Sequence, residues 1–289
     1  MKKIRSKIND LLLISRPISW VNTAYPFAAG YLLSGGQLDV TFIIGVFFFF
    51  IPYNLMMYGI NDVFDYESDI RNPRKGGLEG AIAKKALHPT IIKTVILTNI
   101  PFILALIILG NWISTITLLI VTSFVIAYSA PKLRFKERPV LDSITSSIHF
   151  VGPLVFALTL TGNWNNAIAY VIAFFLWGVA SQAFGAVQDI VPDREAGLGS
   201  VATAFGAKNT VIISALLYLV SSLIIAAQGG HAIFVALAGL LYFVSVSEFL
   251  NITDSSSEKS RAGWKRFMWL NYFAGFIVTI VLILVSLAK

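Results

Sequence analysis

The sequence predicts an all-α polytopic membrane protein of about nine transmembrane helices, forming a single transmembrane domain over residues 1–289. Three observations predict it. Of the 289 residues, 56% are hydrophobic and only 13% charged, where a soluble domain carries about a quarter charged residues. The mean hydropathy is +0.76. Apolar stretches recur along the whole length, each approaching the ~20 residues that cross a hydrocarbon core of about 30 Å.

The chain opens MKKIRSK, similar to the basic start of a secretory signal. Leu11 to Ile14 is too short an apolar run and Arg16 interrupts it, so no cleaved signal is expected. Spans are expected at about 17–34, 41–60, 90–110, 113–130, 140–160, 166–187, 209–227, 231–252 and 267–287. Nine crossings place the termini on opposite sides.

The connections then alternate. Those at 34–40, 111–112, 161–165 and 228–230 contain Asp39 and no Lys or Arg, whereas the others are long and basic. All but one of the 22 Lys and Arg residues fall with the N-terminus and the basic connections, Lys289 being the exception. Cytoplasmic loops carry such an excess, so the N-terminus and these loops are expected to be cytoplasmic, at the cell membrane. The pI near 9.5 therefore reflects topology rather than nucleic-acid binding, because the charges sit between apolar spans and not on one surface. Cysteine is absent, so any metal must be held by oxygen or imidazole.

Two basic connections also carry acids. In Asn61-Asp62-Val63-Phe64-Asp65-Tyr66-Glu67-Ser68-Asp69, the residues Asp62, Asp65 and Asp69 stand at i, i+3 and i+7, one face of a helix continuing past the second span. Asp189 and Asp193 stand four apart in a second cluster, where Pro192 is expected to end or bend the helix. Gathered carboxylates repel unless a cation sits between them. Mg²⁺ suits that role, because it takes carboxylate oxygens while keeping positions for water and phosphate. The plainer alternative, solvated acids at helix ends, is disfavoured by their closeness to membrane helices. Arg71, Arg74 and Lys75 follow the first cluster, and Tyr128, Lys132 and Arg134 close the fourth span on the same face. These would neutralise phosphate oxygens, although any one of them serves equally as a topology determinant.

These motifs resemble the UbiA superfamily of intramembrane prenyltransferases. The likeness rests on NDxxDxxxD at 61–69, DxxxD at 189–193 followed by Arg194-Glu195-Ala196-Gly197, YS-x-P-x-L-R at 128–134, and SRPISW…PFAAGY at 15–31. Tyr58-Gly59-Ile60-Asn61-Asp62 with residues 71–80 is most similar to the lycopene elongase branch. The resemblance implies helices around a central cavity, with cytoplasmic cap loops and a lateral opening to lipid. It implies a prenyl diphosphate donor, a lipophilic acceptor entering from the bilayer and Mg²⁺ as cofactor. Asp62, Asp65, Asp69, Asp189 and Asp193 would hold the metal, and Asn61, Arg71, Arg74, Lys75, Tyr128, Lys132 and Arg134 the diphosphate.

His149, about ten residues into the fifth span, is a candidate proton acceptor, since intramembrane ionisable groups are functional candidates. A histidine bonded to a neighbouring helix is the alternative. Phe47 to Phe50, Tyr53, Tyr58 and Trp177 offer ring faces to a cation, or simply pack. Asp142 and Glu248 are expected to be hydrogen-bonded near the interface. Two rivals remain. An aromatic, quinone-precursor or glycerophosphate acceptor would need a further cation, for which Arg16 looks available. A cation-coupled transporter would place ionisable groups at the midplane, where His149 is the clear one.

Overall fold

The computed structural model describes residues 2–70, 84–165 and 167–287, with side chains from residue 7 onward except at 68 and 69. Thirteen helices follow one another among these residues: α1 Lys2–Ile14, α2 Val21–Leu33, α3 Val40–Phe50, α4 Pro52–Phe64, α5 Tyr66–Asp69, α6 His88–Leu109, α7 Trp112–Ser129, α8 Leu141–Thr161, α9 Ala167–Val187, α10 Ile190–Glu195, α11 Val201–Ala226, α12 Ala232–Ser247 and α13 Arg261–Leu287. No strand occurs among the described residues. Seven stretches are long and apolar enough to cross a membrane, α3 and α4 counting together as one. The other two expected spans are shorter. The segment 17–34 is a 3-10 turn at Pro17–Ser19 followed by the 13-residue α2, and 231–252 reduces to the 16 residues of α12. By length and composition alone, the described residues thus hold seven candidate crossings, with α2 and α12 short of that length.

The chain forms two compact units, Met1–Phe135 with His149–Trp164, and Lys136–Ile148 with Asn165–Lys289. In the first, α3 stops at Ile51 because Pro52 offers no N–H and its ring crowds the preceding turn. The carbonyls this leaves open would be costly in an apolar setting. Asn54 Nδ2 donates to the carbonyls of Phe49 and Phe50 at 2.9 and 3.0 Å, and the Thr23 hydroxyl donates to Phe49 at 2.6 Å. Phe48, Phe49 and Tyr53 are fully buried and pack with Phe27 and Phe156. Gly45 lies directly against the Phe27 ring, where no Cβ would fit. Phe48, Phe49 and Tyr53 are thus core, while Phe47 is turned outward, 57% exposed.

In the second unit, α9 and α11 meet through small residues, Ala173, Ala180, Ala183, Ala207 and Ala215, all buried. Tyr218 donates to Ser181 Oγ and Ser221 to the Ala173 carbonyl. Trp177 stacks on Phe267 and meets Tyr242 edge-on, so it too is packing. The helix expected at 209–227 begins earlier, at Val201. It is interrupted at Gly206, whose φ of 77° lies in the region glycine tolerates best. The last helix likewise starts at Arg261, ahead of the expected 267.

Two local expectations are corrected. The first acidic segment is not one continuous helix, since α4 ends at Phe64, Asp65 caps it and α5 starts anew at Tyr66. Pro192 does not end a helix. The chain breaks earlier, after Val187, and Pro192 sits in the first turn of α10, where its missing N–H would have had no partner anyway.

Candidate active site

In the first unit, the end of α4 presents two aspartates that are almost completely buried, Asp62 at 2% and Asp65 at 3% exposure. Buried charge needs a counter-charge, and an arginine meets each. Arg16 Nη2 donates to Asp62 Oδ1 at 3.0 Å, and its guanidinium lies 4.3 Å from the centre of the Tyr58 ring. Arg134 Nη2 contacts Asp65 Oδ1 at 3.3 Å. Asn61 Nδ2 donates to Ser129 Oγ at 3.0 Å, joining α4 to the end of α7. The structure thus brings together Asn61, Asp62, Asp65, Tyr128 and Arg134 within one unit. Asp69 lies at the end of α5 with its side chain outside the described residues. Arg71, Arg74 and Lys75 lie outside them entirely.

The backbone here is unusual. Non-glycine residues with positive φ among the described residues are Arg16 at 51°, Lys132 at 72°, Arg134 at 37° and Val140 at 72°. Three of the four are cations of the sequence motifs. Such conformations cost about 1–3 kcal/mol and persist where the surroundings enforce them, often at functional sites. The turn after α7 is held by Leu133 and Arg134 N–H groups donating to the Ala130 carbonyl.

His149 is 3% exposed. Its ring meets Tyr128 edge-on at 5.1 Å, and it hydrogen-bonds the backbone of Phe124. Nε2 is buried with no hydrogen-bond partner among the described residues, which leaves Nδ1 as the bonded atom. Tyr53 Oη donates to the His149 carbonyl at 3.1 Å, fixing this turn of α8.

In the second unit, Asp189 and Asp193 are half-buried. Asp189 stands between α9 and α10, and its carbonyl accepts from the Asp193 N–H at 2.8 Å. Asp142 Oδ2 accepts from Val201 N–H at 2.9 Å and so caps α11. Glu248 takes both guanidinium nitrogens of Arg266, at 2.7 and 2.6 Å, and these bonds hold its carboxyl below the usual range. Both were expected to be hydrogen-bonded. Asp254 was not foreseen. It binds Ala207 N–H at 2.7 Å and Arg194 Nη1 at 2.6 Å, and its carboxyl is lowered by the Ala207 bond first and by Arg194 next.

Among the described residues, no three His, Asp or Glu side chains gather closely enough to hold an ion. The donor chemistry nevertheless fits a hard divalent cation. Asp62 and Asp65 are buried oxygen donors at one helix end, and the chain has no cysteine to favour a softer metal. Arg16 also departs from expectation, because it pairs with Asp62 instead of standing available to an acceptor. No sequence signal joins two residues 46 positions apart.

Apolar helices carrying buried, arginine-paired aspartates at one helix end define an integral membrane protein with a charged candidate functional site at the edge of its apolar helices. The chain belongs to the UbiA prenyltransferase family, whose sequence model matches residues 23–273. It is 52% identical over 279 residues to a lycopene elongase/hydratase of Corynebacterium glutamicum, covering 96% of this chain and 97% of that one. It is 30% identical to a lycopene elongase/hydratase of Haloarcula japonica, over 96% and 92% of the two chains. In fold it is similar to a UbiA homolog from Archaeoglobus fulgidus solved bound to DMAPP and Mg²⁺, with TM-score 0.66, 20% identity, and 92% and 98% of the two chains covered.

Proposed function

We propose that this prenyltransferase moves an allylic prenyl group from a prenyl diphosphate to the terminal alkene of a carotenoid such as lycopene. The observation that carries the choice of acceptor is the 52% identity, over 96% of this chain, to a lycopene elongase/hydratase. A carboxylated or phosphorylated acceptor needs its own cation, and Arg16, the one expected to serve, is paired with Asp62 in this structure. The names of the relatives support the same choice. Family membership removes the transporter rival.

Arg134 and Lys132, with Arg71, Arg74 and Lys75, neutralise the diphosphate as its C–O bond breaks and the electron pair leaves with oxygen. Asn61 and Tyr128 help to position it. Asp62, Asp65, Asp69, Asp189 and Asp193 would hold Mg²⁺, which when bound supplies positive charge to the leaving oxygens. Apolar walls keep water from the allylic cation. The acceptor alkene gives its π pair to the cationic carbon, forming the new C–C bond and leaving a cation on the acceptor. His149 ends the reaction by taking a proton at Nε2, the nitrogen left with a lone pair by the bond to Phe124. The N-terminus and the acidic loops lie on the cytoplasmic side of the cell membrane, where the soluble donor is.

The test supplies labelled dimethylallyl or geranylgeranyl diphosphate to membranes containing the protein, with lycopene, a phenolic acid or a glycerophosphate lipid. Prenylated lycopene is expected, lost on chelation of divalent ions and in Asp65→Asn and Asp189→Asn. Product from the phenolic acid or glycerophosphate alone would overturn the acceptor, and full activity in both variants would overturn the metal assignment.

A further inference from the structure

We infer that Arg194 is a positioning residue. It clasps α10, and with it the second acidic motif, to the broken turn of α11 through Asp254. The inference rests on the proposal that Asp189 and Asp193 hold a metal, and asks what keeps those two residues in register.

An arginine directly after Asp193 reads naturally as a phosphate ligand, but its fork is used elsewhere. Nη1 donates to Asp254 Oδ2 at 2.6 Å and Nη2 to the Thr203 carbonyl at 2.9 Å. The guanidinium charge is met by the Asp254 carboxylate, so it adds little net positive charge for an incoming anion. Asp254 is held from a second side, since Oδ1 accepts from Ala207 N–H at 2.7 Å.

That N–H is free of the helix ladder because α11 breaks at Gly206. An added Cβ at Gly206 would stand 3.2 Å from Asp254 Oδ1, and the φ of 77° would strain any L side chain. Asp254 opens the 3-10 segment Asp254–Ser260, itself set by a capping box at Thr253. An exposed ion pair is worth little alone. This one, with Arg194 46% and Asp254 40% exposed, has leverage because it joins three segments of one unit.

α10 is only six residues long and has few bonds of its own to fix it. The neighbouring Gly197, at φ 68°, and the Leu198 N–H donating to the Asp193 carbonyl at 2.8 Å close its far end. Arg194 supplies the side-chain tie to α11 and the 3-10 segment. Groups that orient metal ligands from behind typically cost 10–100-fold in metal affinity when removed.

Mn²⁺ binding to the purified full chain in detergent, followed by EPR, tests this, with thermal stability recorded beside it. Arg194→Gln and Asp254→Asn should each weaken Mn²⁺ about tenfold with the melting temperature kept. The double variant should bind no more weakly than either single one, because both remove the same tie. Arg194→Lys, which keeps the charge but cannot bridge both acceptors, should also weaken Mn²⁺. It serves if the glutamine variant fails to fold. Asp189→Asn is the control. If the control weakens Mn²⁺ while Arg194 and Asp254 variants do not, the clasp is wrong and the metal assignment stands. A loss with Arg194→Gln that Asp254→Asn does not share would mean that Arg194 acts by a route other than Asp254, and would overturn the clasp. If the control leaves Mn²⁺ unaltered, the metal assignment itself falls, and the clasp with it.

Discussion

His149 sits among apolar residues with one ring nitrogen bonded to Phe124 and the other turned to no described partner. That fixes which nitrogen carries the lone pair. Replacing it with phenylalanine keeps an aromatic edge against Tyr128 and removes the proposed base. We expect diphosphate release to survive in His149→Phe while the alkene formed by proton loss falls by about 10²-fold, hydrated product rising in its place. Mass spectrometry of the carotenoid product reads the ratio. An unchanged ratio would assign the proton to another acceptor, such as the departing diphosphate. At this scale the candidate residues were legible in the sequence, because residue type and spacing point to the chemistry: Asp62, Asp65 and Asn61 are picked out by their pattern, and the structure places them together at the end of α4. Their partners were not. Arg16 meets Asp62, and Arg134 meets Asp65, across 46 and 69 positions, and only the folded chain sets such distances.

The break between α3 and α4 depends on Asn54, which answers two orphaned carbonyls and the Thr23 hydroxyl. Asn54→Leu retains the volume and removes the donors. It should destabilise the protein by about 1–3 kcal/mol, the usual cost of leaving buried acceptors unmet, and show as a lower melting temperature in detergent. An unchanged melting temperature would mean that the Thr23 hydroxyl alone satisfies the turn. Breaks of this kind explain where the helix boundaries drifted from expectation. The run from 41 to 60 is apolar enough to read as one span, yet Pro52 within it divides α3 from α4. The acidic segment 61–69 has perfect helical spacing, yet Asp65 bends the chain between α4 and α5. Pro192 looked like a stop and is a start, because the first turn of a helix does not need the N–H that proline lacks.

For the molecule as a whole, the fold class was legible because hydropathy and charge placement survive any uncertainty in helix ends. Topology is directly testable, since the natural chain has no cysteine and single thiols report cleanly. Cysteine at Lys136 or Ser255 should react with an impermeant maleimide only after cells are opened, and cysteine at Gly229 should react in intact cells. The reverse pattern would invert the proposed orientation. What composition could not show was helix length. At 1.5 Å per residue, α2 reaches about 20 Å and α12 about 24 Å, against a hydrocarbon layer of about 30 Å. If both cross the bilayer, as the nine-span topology requires, lipid beside them must compress or their flanking residues must be drawn inward, a local hydrophobic mismatch that would tie the protein's comfort to acyl-chain length.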